Sequence, residues 1–315
     1  MVPDMTFPDR VWPTMLTTFA VDGAVDHAAL AELTDWYIDH HVSGLFALCQ
    51  SSEIFALSLT EKLAVLQTVQ RAAAGRVPVI ASGHTSWAPS EQIAELRAVA
   101  ELSPAALILI SNRLAGPHES DAVFLGRLST LMDALPPDMP LGFYECPFPY
   151  KRLLSAEVLR FMADSRRFAF VKDTCCDIAT IQERIRILEG SSVRLFNANT
   201  STLLESLDAG AAGYSGVMAN FHPDVYDWLC RNHAAQPVLA QRVQSILTMC
   251  SFIELKGYPA NAKLALNLGG LSLTTATRNV GPDLTPTSRS ELEQLNAVTD
   301  QLRLMIADKE PQIRG

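Results

Sequence analysis

Short runs of apolar residues recur along most of the chain, and each is followed by a polar turn and then by a longer amphipathic stretch. The apolar runs are typical of strands that are buried on both faces in a parallel sheet. The amphipathic stretches, such as Thr60–Ala74 and Ser90–Glu101, are typical of helices that cover such a sheet. The pattern predicts eight strands, at Val11–Leu16, Gly44–Cys49, Val77–Ser82, Ala105–Ile110, Leu141–Cys146, Phe168–Lys172, Val193–Asn197 and Gly213–Met218.

Eight pairs of a strand and a helix predict a closed (β/α)8 TIM barrel. A doubly wound open sheet is the alternative, but the first strand is followed by Leu16-Thr17-Thr18-Phe19 instead of a glycine-rich nucleotide fingerprint. After Pro223 the strand pattern stops, and helical patterns follow at residues 238–255, 259–268 and 288–307. We therefore expect a barrel domain over residues 1–232 and a C-terminal helical extension over residues 233–315 that packs directly on the barrel.

The composition is that of a fully folded globular protein, with 48% hydrophobic and 19% charged residues in a chain of 315. The net charge of −9 comes without a basic stripe, so we exclude nucleic acid as a partner. No apolar run approaches the roughly 18 residues that a bilayer span needs, and the start of the chain lacks the features of a signal peptide. We expect a cytoplasmic protein that has no membrane partner.

Six cysteines are scattered through the chain, and their spacing does not indicate a disulfide framework. Four of them lie at or near predicted strand ends, at Cys49, Cys146, Cys175 and Cys176. A thiolate metal site is one interpretation of this group. The irregular spacing and the good packing of small thiols favour reduced cysteines that hold no metal.

Lys172 stands at the end of the sixth predicted strand, directly after two apolar residues. Active sites of these barrels lie at the carboxyl ends of the strands, so the residues that end the apolar runs are the candidates for catalysis. Loss of hydration lowers the pKa of a lysine in the barrel mouth, and the neutral amine can then attack a carbonyl group. An ordinary ion pair with Asp173 or another acid explains the position of Lys172 equally well.

Tyr144 lies near the end of the fifth predicted strand and is therefore expected beside Lys172, because neighbouring strands lie about 4.8 Å apart. Its phenol is suited to carry protons during carbonyl chemistry, although a rim tyrosine that only packs is the alternative. Ser51 and Ser52 follow the second strand, and their hydroxyl and N–H groups can hold a carboxylate. Serines are common in turns, so this second signal is weak by itself.

Six sequence motifs occur together and in order: Leu16 to Gly23, Cys49 to Glu53, Tyr144 to Pro147, Lys172 to Thr174, Gly213 to Asn220, and Tyr258 to Lys263 with Arg278. In these motifs the chain resembles the pyruvate-dependent class I aldolases of the dihydrodipicolinate synthase and N-acetylneuraminate lyase family. The likeness extends over nearly the whole sequence. It implies a barrel with a helical extension and a Schiff-base lyase that acts on pyruvate or another 2-oxo acid.

By this resemblance Lys172 is the Schiff-base nucleophile and Tyr144 the acid/base. Ser51 and the Ser52 amide correspond to the carboxylate cradle, and Gly216 falls in the segment that resembles the eighth strand. The resemblance implies no metal and no organic cofactor. It also implies a homo-oligomer, either a tetramer or a dimer.

Two departures from the family pattern bear on the reaction. Gln50 stands where a threonine or serine usually relays protons, and Ser111 stands where a neighbouring subunit supplies a second tyrosine. Pro149 replaces the arginine that holds a semialdehyde carboxylate, while Lys151 and Arg152 nearby are expected to be solvated. These departures weaken the assignment as a dihydrodipicolinate synthase.

Polar residues at other strand ends are suited to a hydroxyl-rich substrate tail. They are Gln50, Glu145 and Asn197, with His84 and Asn199 as further candidates; Glu53 is expected to anchor its own loop. The leading hypothesis is an aldolase or lyase that acts on a 2-oxo acid with a sugar-acid-like or aldehyde partner. The alternatives are a 2-keto-3-deoxy sugar acid dehydratase, dihydrodipicolinate synthase, and a non-catalytic sensor of 2-oxo acids.

Overall fold

The computed structural model describes residues 7–279 and 283–307 of the chain. Within them lie eight strands: β1 (Arg10–Val11), β2 (Leu45–Leu48), β3 (Val79–Ala81), β4 (Ala106–Ile110), β5 (Leu141–Tyr144), β6 (Phe168–Asp173), β7 (Arg194–Asn197) and β8 (Gly213–Tyr214). All neighbouring strands are parallel, in the order β1-β8-β7-β6-β5-β4-β3-β2. A parallel bridge between Thr14 and Phe46 joins the first and last strands of that order. The predicted (β/α)8 barrel is confirmed.

The predicted strand at Val11–Leu16 is longer than the strand that forms. The chain pairs with β8 only at Arg10–Val11 and then crosses to β2, where the Met15 N–H donates to the Phe46 carbonyl at 3.0 Å. Pro13 lies at the crossing and has no N–H to donate to a continuous ladder. One apolar run therefore closes the barrel by pairing with a different neighbour at each of its ends.

The helices cover the barrel and extend beyond it. In chain order they are α1 (His27–Asp39), α2 (Leu59–Ala73), α3 (Pro89–Ala100), α4 (Ser111–Leu114), α5 (Asp121–Ala134), α6 (Ala156–Ser165), α7 (Ile178–Leu188), α8 (Leu203–Asp208), α9 (Pro223–Asn232), α10 (Pro237–Cys250), α11 (Ala260–Leu268) and α12 (Ser288–Ala307). Polar residues begin several of them. The Ser58 hydroxyl accepts from the Glu61 N–H while the Glu61 carboxylate accepts from the Ser58 N–H, a capping box that starts α2.

Aromatic side chains fill the barrel interior below the carboxyl ends of the strands. Phe170 and Phe196 stack with ring centroids 4.6 Å apart, and Trp12 meets the edge of both rings. Gly142 lies opposite Phe170, and an added Cβ there would lie only 2.7 Å from the Phe170 carbonyl oxygen. Because side chains two residues apart on a strand share a face, this layer lies directly beneath Lys172.

The C-terminal helices pack on the barrel through buried contacts and ion pairs. Arg303 of α12 pairs with Asp224 of α9 at 2.6 Å, and Lys263 of α11 pairs with Glu53 of the loop after β2 at 3.2 Å. We propose residue 233 as the start of the C-terminal region, because α9 ends at Asn232. Among the described helices, none has the length and apolar character that a membrane span requires.

Candidate active site

A cavity of about 930 Å³ opens at the carboxyl ends of the barrel strands. It is lined by six residues proposed for the site from the sequence: Gln50, Ser51, Tyr144, Lys172, Gly216 and the further candidate Asn199. The loops after β2, β5 and β7 and the segment between α10 and α11 complete the wall. The site is thus built from parts of the chain that lie far apart in sequence.

Lys172 lies inside the barrel with only 4% of its surface exposed. It is in register with Tyr144 of the adjacent strand β5, and its Nζ lies 4.5 Å from the centroid of the Tyr144 ring. The register follows from the pairing of β5 with β6, which places both residues on the inner face at the same height. The predicted juxtaposition of an amine and a phenol is therefore present.

The Lys172 amine has no ion-pair partner among the described residues. Burial lowers its pKa from 10.5 to about 8, against the opposing effect of Cys49, Cys146 and Glu254. At pH 7 about one tenth of such an amine is neutral, compared with less than about one thousandth of an exposed lysine. The site therefore supplies a nucleophilic amine near neutral pH.

Asp173 does not pair with Lys172, which removes the ion-pair interpretation of that lysine. It pairs with Arg184 of α7, and Arg184 also pairs with Glu145 at 2.9 Å. Successive residues of a strand point to opposite faces, so Tyr144 and Lys172 face the cavity whereas Glu145 and Asp173 face outward. The helix layer supplies the arginine that compensates both carboxylates.

Glu145 was predicted to bind substrate, and the structure contradicts this. Its carboxylate accepts from the backbone N–H groups of Leu154 at 2.7 Å and Thr174 at 2.9 Å, besides its pairing with Arg184. It is fully buried and does not line the cavity. Glu145 instead joins the loops after β5 and β6.

The prediction that Asn197 binds substrate is contradicted for the same reason, because this residue also points to the outer face of its strand. Phe196 points into the barrel, so Asn197 points outward, where its Nδ2 donates to Thr202 at 2.9 Å and Ser206 at 3.0 Å. Asn199, two residues further along, lines the cavity. His84, the other tail candidate, is buried between Gln92 and the Ile110 N–H and does not line the cavity.

The loop after β2 presents one serine side chain to the cavity. The Ser51 hydroxyl donates to Thr14 at 3.1 Å and lines the cavity, whereas the Ser52 hydroxyl turns back onto the Cys49 backbone. Neither serine N–H donates a hydrogen bond within the described residues. Two free amides and one hydroxyl are thus available to a carboxylate, and only the Ser52 side chain is excluded.

Tyr144 and Cys146 both donate a hydrogen bond to Gln50 Oε1, each at 3.4 Å. Burial raises the pKa of Tyr144 well above 10, so the phenol stays protonated at neutral pH. Ser111 lies away from the cavity and donates to the Arg152 carbonyl at 2.6 Å. No hydroxyl relay leads from Tyr144 through these residues, because a carboxamide accepts a proton poorly and cannot pass one on.

Glu53 anchors its own loop, as predicted, and the structure shows that it does so by binding the C-terminal region. Its carboxylate accepts from Lys263 Nζ at 3.2 Å and from the N–H groups of Arg278 at 2.7 Å and Asn279 at 2.8 Å. Through this contact Asn279 is held at the cavity wall. Glu53 has a left-handed backbone, with φ 57°, which turns its side chain beneath the loop.

Several cavity residues were not found from the sequence, among them Glu254, Tyr258, Asn279, Phe55, Phe148 and Lys151. Glu254 and Tyr258 come from the segment between α10 and α11, which folds over the barrel mouth. No local pattern marks them, because their position depends on packing between distant parts of the chain. Tyr258 falls within a motif of the family resemblance, which was the only available signal.

The four cysteines near the barrel mouth do not come together at one site. Cys49 and Cys146 are buried, Cys176 is exposed and lines the cavity, and Cys175 lies outside it. Across residues 7–279 and 283–307, no group of three or more histidine, cysteine or acidic side chains has the arrangement of a metal site.

Comparison with known proteins identifies relatives over most of the chain. The model of the dihydrodipicolinate synthetase family matches residues 8–102 and 133–302. A 4-hydroxy-tetrahydrodipicolinate synthase of Acidithiobacillus ferrooxidans is 29% identical over 216 residues, which cover 69% of this chain and 72% of the relative. The protein of the same name from Clostridium perfringens is 23% identical over 291 residues, which cover 92% and 95%.

Solved structures have the same fold. YagE from E. coli K12, a member of the dihydrodipicolinic acid synthase family crystallised with pyruvate, matches with a TM-score of 0.82 at 22% identity and covers 94% of this chain and 99% of its own. CdNal from Clostridium difficile, crystallised with mannosamine, matches with a TM-score of 0.82 at 17% identity and covers 92% and 98%. At these identities the likeness establishes the architecture alone.

Proposed function

The chain belongs to the dihydrodipicolinate synthetase family and is a pyruvate-dependent lyase of the class I aldolase type, and from this premise we propose that Lys172 is its Schiff-base residue. The observation that carries the proposal is the state of Lys172: a buried amine that forms no ion pair with any described residue, placed over the Tyr144 ring in a large cavity. A buried cation is costly unless it has a partner or loses its charge. Condensation with a carbonyl group makes use of the neutral form.

In the proposed reaction the Lys172 amine attacks C2 of a 2-oxo acid, and the resulting carbinolamine loses water to form an iminium ion. The substrate carboxylate binds the Ser51 hydroxyl and the free N–H groups of Ser51 and Ser52. The iminium withdraws electrons from the C3–C4 bond, and the enamine remains on Lys172 when that bond breaks. Protonation of C3 then restores the iminium, and hydrolysis of the iminium releases pyruvate.

Tyr144 is the proposed acid/base for the carbinolamine and for C3. Its hydroxyl is protonated at neutral pH and lies on the inner face next to Lys172. It can therefore protonate the leaving hydroxyl group of the carbinolamine and take the proton back in a later step. The matched height of the two residues supports this assignment.

We propose a hydroxylated substrate beyond C3. The outer wall of the cavity carries the polar groups of Asn199, Glu254 and Asn279 next to the apolar surfaces of Phe55 and Phe148. Hydroxyl groups of a sugar-acid-like tail can bond to the first set while its carbon atoms contact the second. This mixed wall favours a sugar-acid-like or hydroxylated substrate tail over a purely apolar one.

The dihydrodipicolinate synthase reaction is the second candidate, because the relatives in the comparison carry that name. Lys151 supports it: the residue is exposed, as the sequence suggested, but it also lines the cavity, and its ammonium group donates to the Thr174 carbonyl at 2.7 Å. A cation at this position can hold the carboxylate of a semialdehyde. Arg152 is committed elsewhere, to Asp121 at 2.7 Å.

The proposal is tested by identifying the reaction products. The enzyme is incubated in D2O with pyruvate alone, and then with pyruvate plus glycolaldehyde, glyceraldehyde, erythrose or aspartate semialdehyde, under NMR observation. We expect deuterium exchange of the pyruvate methyl group and condensation with a hydroxyaldehyde. Pyruvate binding without exchange would indicate the non-catalytic sensor.

The same spectra separate the remaining alternatives. A cyclised product that requires aspartate semialdehyde would indicate dihydrodipicolinate synthase, and loss of water from a 2-keto-3-deoxy acid without release of pyruvate would indicate the dehydratase. A Lys172→Arg variant should show no exchange at all. A Lys151→Arg variant keeps a cation at the cavity wall and should retain exchange.

A further inference from the structure

Glu254 is the only acidic side chain that lines the catalytic cavity among the described residues. It lies in the 3₁₀ helix Ser251–Leu255, which leads from α10 across the barrel mouth toward α11. Its carboxylate forms no hydrogen bond and no ion pair with another described residue. Unlike Glu53 and Glu145, it therefore has no structural partner that explains its position.

The charges of Glu254 and Lys172 interact across the cavity. Burial raises the pKa of Glu254, and the charge of Lys172 opposes that rise. Cys176 and Tyr258 are further ionisable groups that interact with it from the loop after β6 and from its own segment. An iminium ion on Lys172 keeps a positive charge at this place at every pH, and this charge favours the ionised carboxylate.

Aldol cleavage requires a base at the C4 hydroxyl group, and Tyr144 is already assigned the proton transfers at the carbinolamine and at C3. Tyr144 donates to Gln50, and the Gln50 carboxamide also accepts from Cys146, so this side of the cavity has no second proton carrier. Ser111 bonds to the Arg152 carbonyl and faces away. Among the described residues, Glu254 is the only carboxylate in the cavity wall, and burial raises the pKa of the Cys176 thiol and of the Tyr258 phenol, so that both stay protonated. Glu254 is therefore the group best suited to accept a proton from a hydroxyl.

We propose that Glu254 is the second acid/base of this site and that it acts on the C4 hydroxyl group of the substrate iminium. The proposal rests on the Schiff-base function proposed above.

In the cleavage step the Glu254 carboxylate removes the proton of the C4 hydroxyl, and the C4 oxygen becomes the carbonyl of the released aldehyde. The C3–C4 bond breaks, and its electron pair passes through C2 to the iminium nitrogen. The products of the step are a neutral enamine on Lys172, a free aldehyde and a protonated Glu254. In the synthetic direction Glu254 returns this proton to the aldehyde oxygen as the new bond forms.

Two reactions separate the role of Glu254 from that of Lys172. Deuterium exchange of the pyruvate methyl group requires the Schiff base and a base at C3, whereas condensation also requires proton transfer at the aldehyde oxygen. Both rates are measured for the wild-type enzyme, Glu254→Gln, Glu254→Asp and Glu205→Gln. Condensation uses whichever of glycolaldehyde, glyceraldehyde and erythrose reacts fastest with the wild-type enzyme. Glu205 is an exposed residue of α8 outside the cavity, so its change removes the same charge as a control.

For Glu254→Gln we expect exchange close to the wild-type rate and a kcat for condensation that is lower by about 100-fold or more, with little change in KM for pyruvate. Glu254→Asp should recover part of the loss, and Glu205→Gln should behave as the wild type. A loss in condensation that exceeds the loss in exchange by less than tenfold would overturn the proposal. Failure of the wild-type enzyme to exchange or to condense would instead overturn the proposed function, and the proposal with it.

Discussion

The reactive state of Lys172 follows from where its strand places it. The residue is buried on the inner face of β6, rests on the Phe170 layer and faces Tyr144, while Arg184 binds the neighbouring Asp173. Burial without a counter-ion is the physical cause of its lowered pKa. The pairing with Arg184 therefore keeps Asp173 away from the Lys172 amine that it could otherwise neutralise.

This lowered pKa predicts the pH dependence of Schiff-base formation. The neutral amine is the nucleophile, so the rate of trapping with pyruvate and borohydride-type reductants should rise with pH and level off above about pH 8. Below that value it should fall by about tenfold per pH unit. Initial rates of adduct formation between pH 6 and 10 measure this, and a midpoint near the ordinary value of 10.5 would contradict the predicted burial effect.

Replacing Tyr144 by Phe should affect turnover far more than binding. The ring that packs beside Lys172 remains, but the hydroxyl that moves protons is lost, and kcat should fall by about 100-fold to 10,000-fold. Isothermal titration with pyruvate and steady-state kinetics measure the two effects separately. Tyr258→Phe is the matched control, because Tyr258 lines the same cavity without a proposed proton transfer. Equal losses in both variants would contradict the role of Tyr144.

The alternation of strand faces decided which strand-end residues could be predicted from the sequence. Tyr144 and Lys172 were placed side by side correctly, because each lies near the carboxyl end of one of two neighbouring strands. Glu145 and Asn197 were assigned to the cavity only because they adjoin strand ends, and both face the helix layer instead. A position one residue from an inward-facing side chain points the other way.

At the level of elements, the loop after β2 depends on the C-terminal helices. Glu53 and Lys263 form an ion pair in which both side chains are fully buried, and the same carboxylate holds the segment of Arg278 and Asn279. The pair therefore positions the Ser51 loop and one part of the cavity wall together. It was predictable from the sequence as a loop anchor, but its partner 210 positions away was not.

Lys263→Met should destabilise the protein strongly, because it leaves the Glu53 carboxylate buried without its cation. Removal of one partner from a buried ion pair costs about 3–5 kcal/mol. The matched control is Lys256→Met, which removes a lysine from the exposed pair with Glu291 and should cost less than about 1 kcal/mol. Urea unfolding curves measure both, and similar midpoints for the two variants would show that Glu53 is compensated in another way.

At the scale of the whole molecule, the proposed Schiff-base lysine, its acid/base tyrosine and the carboxylate cradle are gathered in the mouth of one barrel. The eight strands and the C-terminal fold could be predicted because hydrophobic periodicity and chain length carry that information. Glu254, Tyr258 and Asn279 could not, since they reach the cavity through packing between the barrel and the segments after α10. A homo-oligomer stays a prediction. The Ser111 hydroxyl donates to the Arg152 carbonyl of its own chain and so does not point outward toward another copy.

Activity per subunit should therefore be independent of the oligomeric state. Light scattering coupled to gel filtration gives the state at each protein concentration, and pyruvate exchange rates at the same concentrations give the activity. We expect a constant rate per subunit across any dissociation, because Lys172, Tyr144 and the Ser51 loop are held by contacts within one barrel. A fall in activity on dissociation, with the fold retained by circular dichroism, would contradict this.

The central claim is that Lys172 forms a Schiff base with a 2-oxo acid, and reductive trapping tests it most directly. The protein is treated with pyruvate and sodium borohydride, digested, and mapped by mass spectrometry, alongside Lys172→Arg and Lys151→Arg. We predict a reduced pyruvate adduct on Lys172 in the wild type and in Lys151→Arg, and none in Lys172→Arg. An adduct on another lysine, or no adduct in the wild type with pyruvate or longer 2-oxo acids, would contradict the account.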